Sequence, residues 1–478
     1  MLRLASTQAW PGLAARRPSR RPVIELALAS MIIGLIFGIG LILPVPFWQA
    51  RPPTPAPADQ ASAGGAGWPA ALLAFGFLLA LCVPFRPYRL AVRVIGEVSP
   101  RVVVGLTVLL AAAALCIYPA FGSDLFVYLD YERLWVVHGL NPLMAAPALR
   151  PDDWAYAFVW IPQQPSPYGP LWPIVSWPIA WLAGNDLWGS IAGYKLLGLA
   201  SYVASCWLVW LTAEPVRRAR ALVVFAWSPL VLFELLGKAH NDGLLAVSAL
   251  AAMWLAVRVN RPGLGMLVAT AGALVKISGA AIVLALAVWL VRQRRWRELL
   301  LGLSASGVLA VALYAPFWVG PSSLQSIFVQ TSRVVWSPGS LVLLLVSGLG
   351  VPAADGVTRL MMGGAFLGAV ALLARRAGSV AGLANGLLLA TLLLMTTAFF
   401  AHYLVPVIAL AAVAGKPRLE RFATALSIGS LAAYAVEPFG AALPAGWIGS
   451  AGYQAAGSVL SLAPAGLVWL RDRFRASE

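Results

Sequence analysis

An all-α, polytopic integral membrane protein is the fold class this sequence predicts, and three observations carry it. Of 478 residues, 60% are hydrophobic and only 11% charged, against about 25% charged in an ordinary globular domain. Apolar runs of helical length recur along the chain. The basic residues fall in short clusters between those runs, so the net charge of +16 reads as membrane orientation and needs no nucleic acid. This composition excludes a soluble enzyme, a disordered chain and a disulfide scaffold. Cys82, Cys116 and Cys206 each sit inside an apolar run and read as small core residues.

A hydrocarbon core about 30 Å thick needs roughly 20 apolar residues per helix. The first span, 23–43, follows Arg16, Arg17, Arg20 and Arg21. It is too long for a signal-peptide core and reads as an uncleaved helix, with residues 1–22 as a basic cytoplasmic tail. A Pro/Ala/Gly linker at 44–67 leads to spans at 68–85 and 102–120. The loop 121–186 is expected outside, with juxtamembrane helices, as the substrate-facing element. Within it, 168–184 is apolar enough to cross, but Pro170, Pro173 and Pro178 are expected to break the helix. A crossing there would also invert every later basic cluster, so the segment reads as juxtamembrane or re-entrant.

Six spans follow, at 187–212, 221–236, 243–258, 264–275, 278–291 and 299–316. Residues 339–350 are too short to cross. Five more spans, at 357–374, 383–400, 403–415, 422–437 and 448–470, bring the total to fourteen. Threaded this way, 26 of the 34 basic residues lie on the cytoplasmic side. Both termini are then cytoplasmic, and 23–478 forms one transmembrane domain in the cell membrane.

What remains outside is informative. All three histidines (His138, His240, His402), three of four lysines (Lys195, Lys238, Lys276) and Asp124, Asp130, Glu132, Asp152, Asp153 and Asp242 fall at or near outer helix ends. In a chain so poor in ionisable groups, that gathering predicts a polar site at the extracytoplasmic surface. If 124–135 is helical, Asp124, Tyr128, Tyr131 and Trp135 share one face. Asp124 is then a candidate general base for a hydroxyl, the competing reading being that Ser123 or Asp124 caps the helix.

Lys238-Ala239-His240-Asn241-Asp242 packs four polar residues of five between apolar helices, which demands mutual pairing or a ligand. Asp242 is a candidate to assist Asp124 or, with Asn241, to position a hydroxyl. His240 and Lys238 are candidates for an anionic phosphate. Lys276 interrupts two short apolar segments and is the candidate for neutralising a phosphate leaving group, with snorkelling as the alternative. Arg333 is a candidate phosphate clamp, His402 a hydrogen-bond donor to substrate or its phosphate, Lys195 a further candidate for the phosphate, and Tyr168, with Tyr128, a candidate for positioning donor or acceptor. The sequence lacks a P-loop, a His-Glu-x-x-His, paired cysteines at zinc spacing and a Gly-x-Ser-x-Gly. Nucleotide-driven chemistry is unsupported. Carboxylates are able to hold a divalent metal, but nothing in the sequence demands one.

Six short motifs occur in an order that resembles a known family. They are Ser-Asp-Leu-Phe at 123–126, Gly-Leu-Asn-Pro at 139–142, Ser-Pro-Tyr-Gly-Pro-Leu at 166–171, Tyr-Lys at 194–195, Trp-Ser-Pro-Leu-Val-Leu-Phe-Glu at 227–234 and His-Asn-Asp at 240–242. Over roughly 100–410 the chain resembles polyprenyl-phosphate-mannose-dependent mannosyltransferases of the GT-C class, among them bacterial α-1,6-mannosyltransferases. The resemblance implies the GT-C fold and an inverting transfer from a polyprenyl-phosphate-linked sugar to a glycan or glycolipid acceptor. It also implies that Asp124 deprotonates the acceptor and that Lys276 neutralises the departing lipid phosphate. The rivals are a transporter or flippase for a lipid-linked sugar, a non-catalytic assembly subunit, and the same fold with another polyprenyl-linked sugar. A transporter is disfavoured because polar groups gather at one face and no internal repeat is visible.

Overall fold

The computed structural model describes residues 20–43, 67–119, 124–325, 335–440, 443, 447 and 450–474. Among these residues there is no β-strand, only an isolated bridge between Val335 and Ala398. Helix α1 (Arg20–Phe37) runs into a π turn at Gly38–Ile42, and is followed by α2 (Gly67–Cys82), α3 (Phe85–Val94) and α4 (Pro100–Leu115). The region expected outside holds α5 (Asp124–Val136) and α6 (Leu171–Ala183). Next come α7 (Leu187–Thr212), α8 (Arg218–Ala226), α9 (Pro229–Gly237), α10 (Asp242–Val257), α11 (Pro262–Ala273), α12 (Ala280–Arg292) and α13 (Trp296–Tyr314). The last third contains α14 (Pro338–Gly348), α15 (Ala354–Arg376), α16 (Val380–Ala390), α17 (Val405–Ala414), α18 (Pro417–Ala433) and α19 (Ala451–Phe474).

Among the described residues, five helices are long and apolar enough to cross a membrane by length and composition: Arg21–Ile42, Ala71–Val94, Leu187–Thr212, Trp296–Phe317 and Ala354–Arg376. A sixth is α8 with α9, bent by 51° where Pro229 follows Ser228. The other expected spans map onto apolar helices of 10–17 residues or onto helices outside that set. Outward faces are apolar too: Leu360, Met361, Leu367 and Leu372 of α15 are all exposed. Water does not tolerate apolar surface on that scale, whereas lipid does.

Three details differ from expectation. Arg86, Arg89 and Arg93 do not sit in a loop; they lie on α3, whose other face buries Phe85, Tyr88 and Ala91. Residues 171–183 form one helix with Pro178 inside it. Pro173 falls in the first turn, where no backbone N–H is needed, so it does not interrupt the element. At 13 residues and about 1.5 Å per residue, α6 is still too short to cross alone. The cysteines are less buried than expected: Cys116 is exposed, and Cys82 and Cys206 are partly so.

The main core is built where α10 packs against α7, α11 and α17. A second, smaller core gathers aromatic side chains of α5, α6 and α7 around Tyr128, Trp172 and Tyr194. The site lies between these two cores.

Candidate active site

Asp124 is the first residue of α5, where a carboxylate meets the positive end of the helix. Its Oδ2 accepts a hydrogen bond from Tyr168 Oη at 2.9 Å. One turn on, the buried Tyr128 packs edge-on against Tyr168 and Trp172, with ring centroids 5.3 and 4.7 Å away. The Tyr128 hydroxyl accepts the Asn241 backbone N–H at 3.3 Å. The helical spacing read from the sequence thus carries α5 to both the 166–171 loop and the 238–242 turn.

That loop is anchored in turn to the end of α11. Gly169 N–H donates to the Val275 carbonyl and Leu171 N–H to that of Leu274, both at 3.0 Å. A Cβ at Gly169 would lie 2.2 Å from the Leu274 oxygen, so only glycine permits this approach. Lys276 follows immediately. It is buried and donates to Asp242 Oδ1 at 3.0 Å and Oδ2 at 2.9 Å, with its ammonium 4.1 Å above the Tyr403 ring. It therefore pairs inside the protein and does not snorkel. Asp242 opens α10, so helix dipole and ammonium together offset the cost of burying it.

The chain reaches Asp242 through an irregular passage. The final residues of α9, Leu232–Gly237, are π-helical, and Ala239 at φ 57° turns the backbone sharply. His240 N–H donates to the Glu234 carbonyl at 3.0 Å. Its Nδ1 stands 2.8 Å from Glu234 Oε2, an ion-pair contact too oblique for a linear hydrogen bond. The His240 ring stacks on His402, centroids 4.0 Å apart and planes 24° from parallel, and His402 Nε2 is 4.0 Å from Asp242 Oδ2. Lys238 is buried with its ammonium 4.5 Å over the Tyr434 ring. The Asn241 amide is buried with neither its oxygen nor its nitrogen hydrogen-bonded.

One atom each from Asp124, His240 and His402 lie within 4.8 Å of one another. Two imidazoles and a carboxylate suit a borderline divalent cation. The face-to-face rings, however, aim their lone pairs side by side, and a ring must turn before both converge on one ion. A cavity of about 440 Å³ is lined by Lys276 together with Leu284, Phe366, Leu392, Met395 and Tyr403.

Several candidates stand elsewhere. Lys195 is buried within α7, its ammonium donating to the carbonyls of Leu115, Ile117, Leu236 and Gly237 at 2.7–3.0 Å. It is engaged by backbone carbonyls at the ends of α4 and α9. Arg333 and Ser123 lie outside the described residues. His138 and Asp153 belong to a separate cluster with Arg133: Arg133 Nε and His138 Nε2 stand 2.8 and 2.6 Å from the Asp153 carboxylate. Asp152 is exposed and bonded to Arg150. The acidic residues gathered by the sequence reading therefore divide into two groups.

The second group carries unusual acidities. Burial raises the Asp130 carboxyl to about 7, with help from Asp153, and raises Glu132 to about 8 against a hydrogen bond from Ser176. Burial also acts on Asp153, but hydrogen bonds from Arg133, the Ala155 N–H and His138 outweigh it and hold the carboxyl below its ordinary value. Sequence reasoning missed Glu234 as a site residue. Its signal was a lone acid inside the apolar stretch 221–237.

Fold and site together define a class: an all-helical protein with helices of membrane-crossing length that buries a carboxylate, lysine and histidine site against an apolar cavity. Within that class the chain belongs to the Alpha-(1->6)-mannopyranosyltransferase family, whose N-terminal-domain model matches residues 29–293. The chain is 28% identical over 236 residues to Alpha-(1->6)-mannopyranosyltransferase A of Mycobacterium tuberculosis, covering 47% of this chain and 44% of that protein. It is 25% identical over 147 residues to Alpha-(1->6)-mannopyranosyltransferase B of Corynebacterium glutamicum, covering 29% of this chain and 24% of that protein. The matched stretches thus span less than half of each of these curated relatives. No solved structure matches the chain.

Proposed function

We propose that the protein is a membrane glycosyltransferase that moves a hexose, mannose by preference, from a polyprenyl-phosphate donor to a glycan or glycolipid acceptor. The reaction takes place at the extracytoplasmic face with inversion at the anomeric carbon. The observation that carries this reading is the meeting of three distant segments, at Asp124, at 240–242 and at Lys276, the last of which also lines an apolar cavity. A lipid-phosphate sugar has the complementary chemistry: an apolar tail, an anionic junction and a polar sugar. The names of the two relatives support mannose as the sugar.

In this reading the tail lies along the Phe366 and Met395 wall, and Lys276 meets the phosphate. Asp124, oriented by Tyr168, takes the proton of the acceptor hydroxyl. The hydroxyl oxygen bonds to the anomeric carbon as the bond to the phosphate oxygen breaks, and the electron pair leaves with the phosphate. Lys276, sharing its charge with Asp242, stabilises that leaving group. The unpartnered Asn241 amide is suited to sugar hydroxyls, since a buried amide without partners implies a ligand that supplies them. About fourteen crossings, the GT-C architecture, one domain over 23–478 behind the basic tail 1–22, cytoplasmic termini and the cell membrane belong to the same proposal.

The test is transfer of radiolabelled mannose from polyprenyl-phosphate mannose to an oligomannoside by the purified protein in lipid nanodiscs. Asp124→Asn is expected to lower kcat by about 10²-fold or more. Turnover at the wild-type level would remove Asp124 as the base. Competition with a polyprenyl-phosphate pentose distinguishes mannose from another lipid-linked sugar.

A further inference from the structure

A second cavity, of about 790 Å³, lies between α4 and α7 and shares no lining residue with the one at Lys276. Both helices pack more closely on α8 than on each other. The gap is a groove that follows α4 from Pro100 to Leu115. Those 16 residues extend about 24 Å, more than one leaflet of a hydrocarbon core about 30 Å thick. The rims, Val104 and Val108 on α4 and Val203 and Trp207 on α7, are exposed, so the groove opens sideways between the helices. Its two buried hydroxyls are already bonded within the protein. Thr107 Oγ1 accepts from Trp227 Nε1 and donates to the Val103 carbonyl, both at 2.8 Å, and Tyr202 Oη donates to the Ala226 carbonyl at 2.9 Å. An occupant finds no free hydroxyl there and is held along its length by apolar contact.

One end of the groove is basic. Arg101 lines it, and so does Trp210, whose ring centroid is 5.9 Å from the Arg218 guanidinium. Leu222, a further lining residue, is one turn after Arg218 on α8, so the two share a face. The neighbouring Arg217 and Arg220 are paired with Glu420. Neither Arg101 nor Arg218 has an ion-pair partner among the described residues, and Arg218 Nε is buried without a hydrogen bond. A buried guanidinium N–H without an acceptor implies an acceptor supplied by a ligand.

We propose that this groove binds an anionic phospholipid of the membrane, with one acyl chain lying between α4 and α7 and the phosphate held by Arg101 and Arg218. The chemistry selects the occupant: a long apolar chain that ends in an anion matches an apolar groove that ends in two unpaired guanidiniums. Residues 1–19 of the chain carry Arg3, Arg16 and Arg17 and no acid, so charge disfavours that segment at the basic end. The same end lies on the side expected to be cytoplasmic, where the membrane surface is negative. The inference goes beyond the transferase reading and does not rest on it.

Two measurements test it, and neither needs turnover. In the first, dioleoyl phosphatidylglycerol and dioleoyl phosphatidylcholine are titrated separately into the purified protein in detergent, and bound lipid is counted by native mass spectrometry. Phosphatidylglycerol is expected to bind about 10-fold or more tightly than phosphatidylcholine, and added salt to narrow that difference. Arg101→Gln and Arg218→Gln are each expected to weaken phosphatidylglycerol about fivefold and to leave phosphatidylcholine unchanged. Ala112 is an exposed residue of the groove, and Ala112→Trp is expected to weaken both lipids by filling it. Equal affinity for the two lipids, or phosphatidylglycerol binding indifferent to both arginine substitutions, overturns the proposal.

The second measurement uses the wild-type protein alone, so it decides even where a variant fails to fold. A phosphatidylglycerol carrying a diazirine midway along one acyl chain is photolysed on the protein in nanodiscs, and the labelled peptides are mapped. Label is expected within 104–112 and 203–207, and unlabelled phosphatidylglycerol is expected to suppress it. Label confined to other helices overturns the proposal. Full suppression by inorganic phosphate reduces the basic end to a simple anion site and overturns it too. A lipid-free dimer that Ala112→Trp abolishes would give the groove to a second copy of the chain and equally end the lipid assignment.

Discussion

Lys195 and Lys276 are both buried lysines on apolar elements, and the difference between them lies entirely in their partners. Lys276 meets a carboxylate at 2.9 Å beside a cavity, while Lys195 meets four carbonyl oxygens. Lys195→Met is therefore expected to destabilise the protein by about 1–3 kcal/mol through the carbonyls it strands, with donor KM unchanged. A KM that rises while thermal stability holds would return Lys195 to the phosphate. Glu132 supplies a pH prediction. Its carboxyl titrates near 8 when folded and near 4.5 when unfolded, so the folded state binds more protons between those values. Its contribution is complete below the unfolded value and declines as pH rises through the folded one. Asp130, at about 7, acts in the same direction, and the lowered Asp153 adds a loss on the acid side. Stability against thermal unfolding in detergent is expected to fall from about pH 5 to pH 8, and Glu132→Gln to flatten that slope. A slope equally steep in the variant would clear Glu132 of the effect.

The elements that matter most to the site are the irregular ones. The loop at 166–171 places Tyr168 against Asp124 while its backbone pairs with the end of α11, so one short segment couples the base to Lys276. Gly169→Ala tests that coupling. Its methyl would meet the Leu274 carbonyl, and overpacking of this kind costs about 1–3 kcal/mol. The loop must retreat and take Tyr168 with it, so kcat is expected to fall at temperatures where the variant remains folded. Full activity in a folded variant would uncouple the loop from the site. Periodicity made α5 legible, because Asp124 and Tyr128 are one turn apart and both contact the site. It misjudged α6, where Pro173 in the first turn removes only an N–H that had no partner and the helix also continues through Pro178.

For the whole molecule, the claim that matters is which side of the membrane holds the site. Basic clusters after α12, after α15 and at the end of α19 are expected in the cytoplasm, and the 121–186 region outside. A reporter fused after Arg294 should read cytoplasmic, and one inserted beside Arg150 should read external. The reverse pattern would place the site on the cytoplasmic face and end the extracytoplasmic proposal.

By itself the sequence determined the helical class and the identity of the chemically able residues. Both follow from composition and local spacing: apolar runs dictate helices, and an ionisable group inside such a run must find a partner or a ligand. Which partner it finds was decided only by the tertiary structure. Asp242 and Lys276 are 34 positions apart and His240 and His402 far more, and no local pattern records that packing brings them together. The same packing sent Lys195 to backbone carbonyls, drew His138 and Asp153 into a cluster of their own and set Glu234 behind His240. A buried charge takes whichever partner the folded chain holds within about 3 Å, and that distance is a property of the packed helices.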